Sequence, residues 1–400
     1  MKTPPARWTD CFDGNLAIRP PLSPEALGEI PAKRGVFLLE GPGGEPILLS
    51  TAANIRSRMR FRLSPPDEQP GRRADLREVA RRLRWKRADS HFETDWHFLE
   101  LARRVYPATY RKLLSFHPAW FVSADLSEAV PWLHRTQEPA TGAGQCIGPL
   151  PSRRAAARLI GILQDVFDLC RDEQLFRRGD RSACVYAQMG RCPAPCEGGP
   201  PADQYRDRVA EACACARGGR EPVQRRLTER MRRCAAEKRY EQAAGCKARL
   251  DRLAELDRPE FAHLASVDEF RYLLVQRGPR RRQMKVFLAD RGAIEAGPTL
   301  DWPGREDPLA GALAAMRRLC GTPRPWGRPE IERIALVSHY LLVSPRRRGA
   351  IVRYDEHLSV KALADRIESA ADVLGLAGAP PPGPTGDGDA NGEKPTSEPV

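Results

Sequence analysis

No stretch of this 400-residue chain approaches the roughly 18 consecutive apolar residues needed to span a bilayer. The opening segment MKTPPARWTDCFDGN has neither an apolar core nor a small-residue cleavage site, so it does not read as a secretory signal. A cytoplasmic protein with no membrane partner is the expectation. Acidic residues are also in deficit: 52 Asp and Glu stand against 65 Lys and Arg, mostly Arg, for a formal charge of +13 and a pI near 9.4. Arginine bonds phosphate in bidentate fashion, so a polyanion such as DNA is the partner that this imbalance suggests. With 41% hydrophobic and 29% charged residues, the chain has enough apolar material for two or three folded domains.

In a reducing compartment 11 cysteines do not form a disulfide framework, and nine of them sort into two groups. Cys213, Cys215, Cys234, Cys246 and Cys320 read as small buried hydrophobes. Cys184, Cys192 and Cys196 lie instead in Cys-Val-Tyr-Ala-Gln-Met-Gly-Arg-Cys-Pro-Ala-Pro-Cys, with Cys170 fourteen residues upstream. Two prolines keep the Cys-Pro-Ala-Pro-Cys loop out of helical geometry and present its thiols from a stiff turn. Four such thiolates suit an iron–sulfur cluster or a structural zinc, and the irregular spacing leaves the metal open.

Punctuation divides the rest. An irregular leading segment, residues 1–33, precedes a β-hairpin: Gly35–Leu39, a turn at 41–44, and Ile47–Ser50. Asn54–Leu63 and Ala74–Lys86 read as basic helices and Asp95–Val105 as a helix with an apolar face, so that residues 34–112 form a small α/β domain. Residues 113–200 read as a linker and cysteine-cluster segment, in which an amphipathic helix over 153–170 delivers Cys170 to the loop. Across 201–258, Leu227, Met231, Ala235, Tyr240, Ala244, Leu250 and Leu253 space out two antiparallel helices, a hairpin that leaves one face for the rest of the protein or for a partner. Residues 259–375 read as a C-terminal α/β unit with strands at Phe270–Gln276 and Gln283–Ala289 and helices at Leu309–Leu319 and Ala362–Leu374. The Pro/Gly-rich stretch 376–400 reads as a disordered tail. The expected class is α+β.

Three features in this order resemble the N-terminal half of the UvrC family, the incision subunit of bacterial nucleotide excision repair. They are Gly148-Pro149-Leu150-Pro151-Ser152 before a long helix, the Cys170/184/192/196 set with Gly-Arg-Cys-Pro-Ala-Pro-Cys, and a helix pair similar to a UVR motif. The resemblance covers roughly residues 20–260. It implies a 4Fe–4S cluster on Cys170, Cys184, Cys192 and Cys196, with zinc as the alternative. It also implies a hairpin that docks on a UvrB-like protein through Met231, Ala235, Tyr240, Glu241, Ala243, Ala244 and Leu250.

The nuclease part departs from the family. A GIY-YIG site needs a Tyr-rich hairpin, a helix arginine on the phosphate and a glutamate on one Mg or Mn ion. Here the first motif is Gly35-Val36-Phe37 and the second Leu48-Leu49-Ser50-Thr51, so two tyrosines and a lysine are missing. Arg58 falls on the phosphate-contacting arginine, while Phe98 falls on the glutamate position and Glu100 is the nearest carboxylate. Two residues along a helix turn a side chain by about 200°, so Glu100 is expected to face away unless the helix is locally shortened. Asp268, ahead of the strands at 270–289, is one carboxylate and makes no two-metal site.

Arg56, Arg58, Arg60 and Arg62 line one helix, and Arg72, Arg73, Arg77, Arg81, Arg82, Arg84, Lys86 and Arg87 cluster about Trp85 with only Asp75 and Glu78 among them. Such a run repels itself unless an anion is near, so phosphate contact is expected. Three functions follow: a UvrC-like protein binding DNA and UvrB with a silent nuclease site, an active single-incision nuclease, or a non-nuclease UVR adaptor.

Overall fold

The computed structural model describes residues 8–19, 22–63, 76–128, 130–142, 144–174, 184–197, 199–302, 306–343 and 348–374. The fold is α+β, with three four-stranded antiparallel sheets separated by helices among the described residues. The expected tail at 376–400 lies outside the described residues.

The first sheet uses β1 (Gly14–Ala17), β2 (Gly35–Glu40), β3 (Pro46–Ala52) and β4 (Arg82–Arg87) in the order β1-β4-β2-β3. Between these strands come α1 (Pro24–Glu29) and α2 (Ile55–Arg62), and after them α3 (His91–Val105). The leading segment is thus not irregular: β1 pairs with β4, and Ser23 caps α1 ahead of Pro24. Nor does 74–86 end as a helix. Leu83 and Trp85 alternate with Arg82, Arg84 and Lys86, a period of two that the charges obscure, and the strand pairs with β2 along its whole length.

Strand β2 is buried on both faces. Phe37 and Leu39 meet Ile55 and Met59 of α2, whereas Val36 and Leu38 meet Phe92, Leu99 and Ala102 of α3. Each such side chain contributes roughly 1.5–3 kcal/mol of transfer free energy when fully buried. Helices α2 and α3, capped by Asn54 and Ser90, therefore lie on opposite faces of one sheet. A Cβ at Gly35 would stand 2.1 Å from the Lys86 carbonyl, so only glycine lets β2 and β4 close at that end.

Residues 113–200 are more than a linker. They supply β5 (Trp120–Asp125), β6 (His134–Thr136), β7 (Gly144–Leu150), α4 (Arg153–Phe167) and a short α5 (Val185–Gln188). Helix α6 (Ala202–Ala216) follows, then the hairpin α7 (Glu221–Ala236) and α8 (Tyr240–Ala254), then β8 (Ala265–Ser266), which completes the sheet order β6-β5-β7-β8. The Gly148–Ser152 motif has a steric and capping basis. A Cβ on Gly148 would lie 2.4 Å from the Phe121 ring, Leu150 is buried, and Ser152 accepts from the Ala155 amide to start α4. Helix α4 ends three residues early, at Asp168, whose φ of 51° breaks the helix.

The C-terminal unit runs β9 (Arg271–Arg277), β10 (Gln283–Asp290), β11 (Ala293–Asp301), α9 (Glu306–Gly321), α10 (Arg328–Leu342), β12 (Ala350–Arg353), α11 (Val360–Glu368) and α12 (Ala371–Leu374). Its sheet order is β11-β10-β9-β12. Leu273, Val275, Val286 and Leu288 face α9 and α11. Leu274 and Phe287 face the other way, into a core shared with α10 and α3. Phe92 of α3 packs edge-on against both Phe287 and Tyr340 at 5.2 Å. The N-terminal and C-terminal units therefore share one core.

Candidate functional site

Arg58 is exposed on the outer face of α2, and among the described residues its side chain makes no hydrogen bond or ion pair. Arg56, two residues earlier, is tied down instead: its guanidinium donates to the carbonyls of Ile30 at 2.7 Å and Gly28 at 2.8 Å, clamping α2 to the end of α1. Arg60 is exposed and Arg62 half-buried at the end of the same helix.

Glu100 lies on α3, across the sheet from Arg58, and no hydrogen bond or ion pair joins the two. Its carboxylate is taken by Arg333 of α10, Nε to Oε1 at 2.7 Å and Nη2 to Oε2 at 3.2 Å, with Arg103 at 3.6 Å. The structure thus places Glu100 in an ion-pair network facing the C-terminal unit. Glu93, one turn into the same helix, makes a second bridge: it takes Lys285 of β10, the Asp89 amide and His97. Burial would raise the Glu93 carboxyl, but these three donors pull it down to about 2.

The basic run about Trp85 is electrically answered from elsewhere in the chain. Glu40, 2% exposed, receives Arg84 directly and Arg82 at 3.7 Å. Asp13 receives Lys86 Nζ and the Arg87 amide, both at 2.7 Å. Burial opposes the Asp13 charge, yet those bonds hold its carboxyl below its ordinary value. Arg84 also stacks over Trp8 at 5.9 Å, and Arg81 bonds the Ala80 carbonyl at 2.9 Å. Of the self-repelling run expected from the sequence, Arg82, Arg84, Lys86 and Arg87 thus share two carboxylates that β2 and the residue before β1 bring from far along the chain, while Arg72 and Arg73 lie outside the described residues. Among the described residues the Arg58 side chain, facing outward on α2, has no such partner.

Cys170 and Cys192 meet thiol to thiol, buried beneath α6, where Tyr205 accepts the Cys170 amide at 3.0 Å. The Cys192 thiol donates to Cys170 and, with the amides of Asp172 and Arg171, draws Cys170 down to about 7 against the effect of burial. Cys192, as donor and buried, is pushed up. Cys184 stands near enough to Cys192 to be felt electrostatically, at the start of α5. The Cys196 backbone lies in the single 3-10 turn Pro195–Glu197, and its side chain lies outside the described residues. Among the described residues no three His, Cys, Asp or Glu side chains are gathered tightly enough to hold a metal ion. What fits a sulfur-ligated group here is the converged pair and the amides aimed at its sulfurs. Burial pushes Cys213 up to about 12 and Cys215 to about 11, as for packing thiols.

The hairpin is anchored at its base and open at its tip. Val223, Leu227 and Leu253 enter the middle core with Leu250 packed beside them, and Cys234 and Cys246 are buried, each on one of the two helices. Asp168 accepts Arg249 through both oxygens at 2.7 and 2.8 Å, and Asp165 accepts Arg252 at 2.6 Å, locking α8 onto α4. Towards the tip Ala235, Glu241 and Ala244 are exposed, Met231 and Ala243 half-buried, and Tyr240 is 68% exposed. Nothing in the local sequence marked Asp165 and Asp168 as anchors, since their partners lie 81 to 87 residues away.

Residues 118–215 match the family model for the UvrC/Cho excinuclease middle domain. The UvrABC system protein C of Syntrophus aciditrophicus is 28% identical over 66% of this chain and 43% of that protein. Its counterpart in Caldanaerobacter subterraneus is 23% identical over 68% of this chain and 44% of that protein, and the one in Porphyromonas gingivalis 22% over 73% and 50%. The chain is thus UvrC-like along about two thirds of its length and spans half or less of these relatives. No solved structure matches it. No helix among the described residues is long and apolar enough to cross a membrane.

Proposed function

We propose that this chain is a UvrC-like nucleotide excision repair protein that binds DNA and a UvrB-like partner and carries a silent remnant of a GIY-YIG nuclease. The observation that carries the reading is the order of parts: a UvrC/Cho middle-domain match lies between an α/β unit and a helical hairpin with an exposed aromatic tip. Arg58 and Arg60 would contact phosphate, and Met231, Ala235, Tyr240, Glu241 and Ala244 would meet the partner helices. Silence of the nuclease is supported by Ser50 and Thr51 in the second motif and by Arg333 occupying Glu100. Cys170, Cys184, Cys192 and Cys196 would hold a 4Fe–4S cluster, or zinc in its place. Such a group, when bound, supplies a cross-link between α4 and the cysteine loop and, for iron, one-electron chemistry.

The test is incision by anaerobically purified protein on a lesion-bearing duplex loaded with UvrA and UvrB, with Mg²⁺ or Mn²⁺ and with Arg58→Ala alongside. Stable association with UvrB and DNA and no cut strand is the expected result. Cutting that disappears in Arg58→Ala would replace this reading with that of an active single-incision nuclease. A second reading, a non-nuclease UVR adaptor, draws on the compensated charges of β4. It predicts hairpin-dependent partner capture without DNA binding at physiological salt.

A further inference from the structure

Where the α3–β5 connection, the segment after β6 and the start of α10 converge, they enclose a cavity of about 570 Å³. That lies inside the roughly 300–1,000 Å³ range of small-molecule sites. Its wall is divided. Leu114, Phe116 and Ile331 give an apolar floor, while Arg111, Lys112 and Arg328 stand at the rim. Lys112 and Arg328 are exposed, and their side chains make no hydrogen bond or ion pair among the described residues. Arg111 bonds Glu332 through Nε at 3.2 Å and also meets the Tyr110 hydroxyl, with about half of its side chain exposed at the rim.

Two carboxylates also line the space. Glu332 is already satisfied by Tyr110 at 2.6 Å and Arg103 at 3.0 Å, so it opposes an incoming anion weakly, and Glu138 stands with Gln137 beside the floor. The Gln137 amide nitrogen donates to the Pro118 carbonyl at 3.1 Å, which leaves its oxygen to accept. Acceptors beside an apolar floor suit a ring with N–H donors on its edge better than a hydrocarbon chain. Lys112 and Arg328, which have no carboxylate partner among the described residues, together with Arg111 beside them suit a phosphate.

We infer that this cavity is a nucleotide site, with the base on the Leu114–Phe116–Ile331 floor and the phosphate on Arg111, Lys112 and Arg328. The site stands independently of the excision-repair reading. The nucleotide comes either free from solution or extruded from a strand, and the two sources present the same base and phosphate.

Calorimetric titration of the full chain with dAMP, deoxyadenosine and inorganic phosphate tests it. One site for dAMP is expected, at least tenfold tighter than for either fragment. Lys112→Glu with Arg328→Glu is expected to weaken dAMP at least tenfold with an unchanged melting temperature, because both side chains are exposed. Phosphate binding as tightly as dAMP, dAMP binding indifferent to the double variant, or no dAMP binding at millimolar concentration would each overturn the assignment. Displacement of dAMP by a duplex with an unpaired adenosine, and not by a fully paired one, supports the site and assigns it to an extruded nucleotide. Bound dAMP that neither duplex displaces supports the site and assigns it to the free one.

Discussion

Arg333 grips both carboxylate oxygens of Glu100, joining α10 of the C-terminal unit to α3 of the N-terminal one. The residue nearest to a metal-ligand role in the sequence is thereby an inter-unit tie, about three-quarters buried. Removing one partner of a buried pair leaves the other charge uncompensated. Glu100→Gln and Arg333→Met are each expected to destabilise the protein by roughly 1–3 kcal/mol, and the double variant by less than their sum. Urea unfolding of the three variants measures this, and additive losses would mean that the pair is not coupled.

Glu93 gives the same interface a pH dependence. Its carboxyl falls from an ordinary 4.5 to about 2 in the folded chain, so the unfolded chain binds the proton first. The stability it contributes is therefore fully present above pH 4.5 and lost as the pH falls towards 2. A shift of this size corresponds to on the order of 3 kcal/mol. In Glu93→Gln the acid limb between those values should flatten, and an unchanged limb in acid-titrated thermal melts would exclude Glu93 as its source.

The cations divide into answered and unanswered. Arg84 is bound to buried Glu40, whereas Arg58 faces solvent without a partner among the described residues. If α2 meets DNA, Arg58→Ala should lower the slope of log K against log salt by about 0.9. Arg84→Ala should instead lower stability and leave that slope in place. Fluorescence anisotropy across a salt series separates the two, and equal slopes for Arg58→Ala and the parent would remove α2 from the interface.

At the hairpin tip, Tyr240→Ala should change stability by no more than about 0.5 kcal/mol, because the ring is exposed. Loss of a partner anchor at that position is expected to weaken UvrB capture at least tenfold, the scale on which interface aromatics act. Leu253→Ala, at the buried base, should cost roughly 2–5 kcal/mol of stability and affect capture only through unfolding. Capture by the Tyr240 variant at parental affinity would place the partner elsewhere.

The cysteine group has its own readout. Cys192→Ala should abolish the broad visible absorption of an anaerobically reconstituted cluster, or the bound zinc if that is the metal, while Cys213→Ala should keep it. Absorption spectra with elemental analysis decide between the metals, and retention of metal in Cys192→Ala would remove that thiol from the set.

What the residue string determined unaided was local. The β2–β3 hairpin followed from its apolar runs about Gly41–Gly44 and the two hairpin helices from their 3.6-residue spacing, while of the cysteines read as buried Cys213, Cys215, Cys234 and Cys246 are so and Cys320 is half-buried. Local signals misread β4 and the N-terminal leader, because arginines at every second position hide a strand and a four-residue strand has little pattern to show. The tertiary structure alone decided which charges meet. Glu40 and Asp13 take up four cations of a run that looked unpaired, Arg333 claims Glu100, and Asp165 and Asp168 lock the hairpin. An ion pair depends on separation in space, and with partners 44 to 233 residues apart no window of sequence contains both ends.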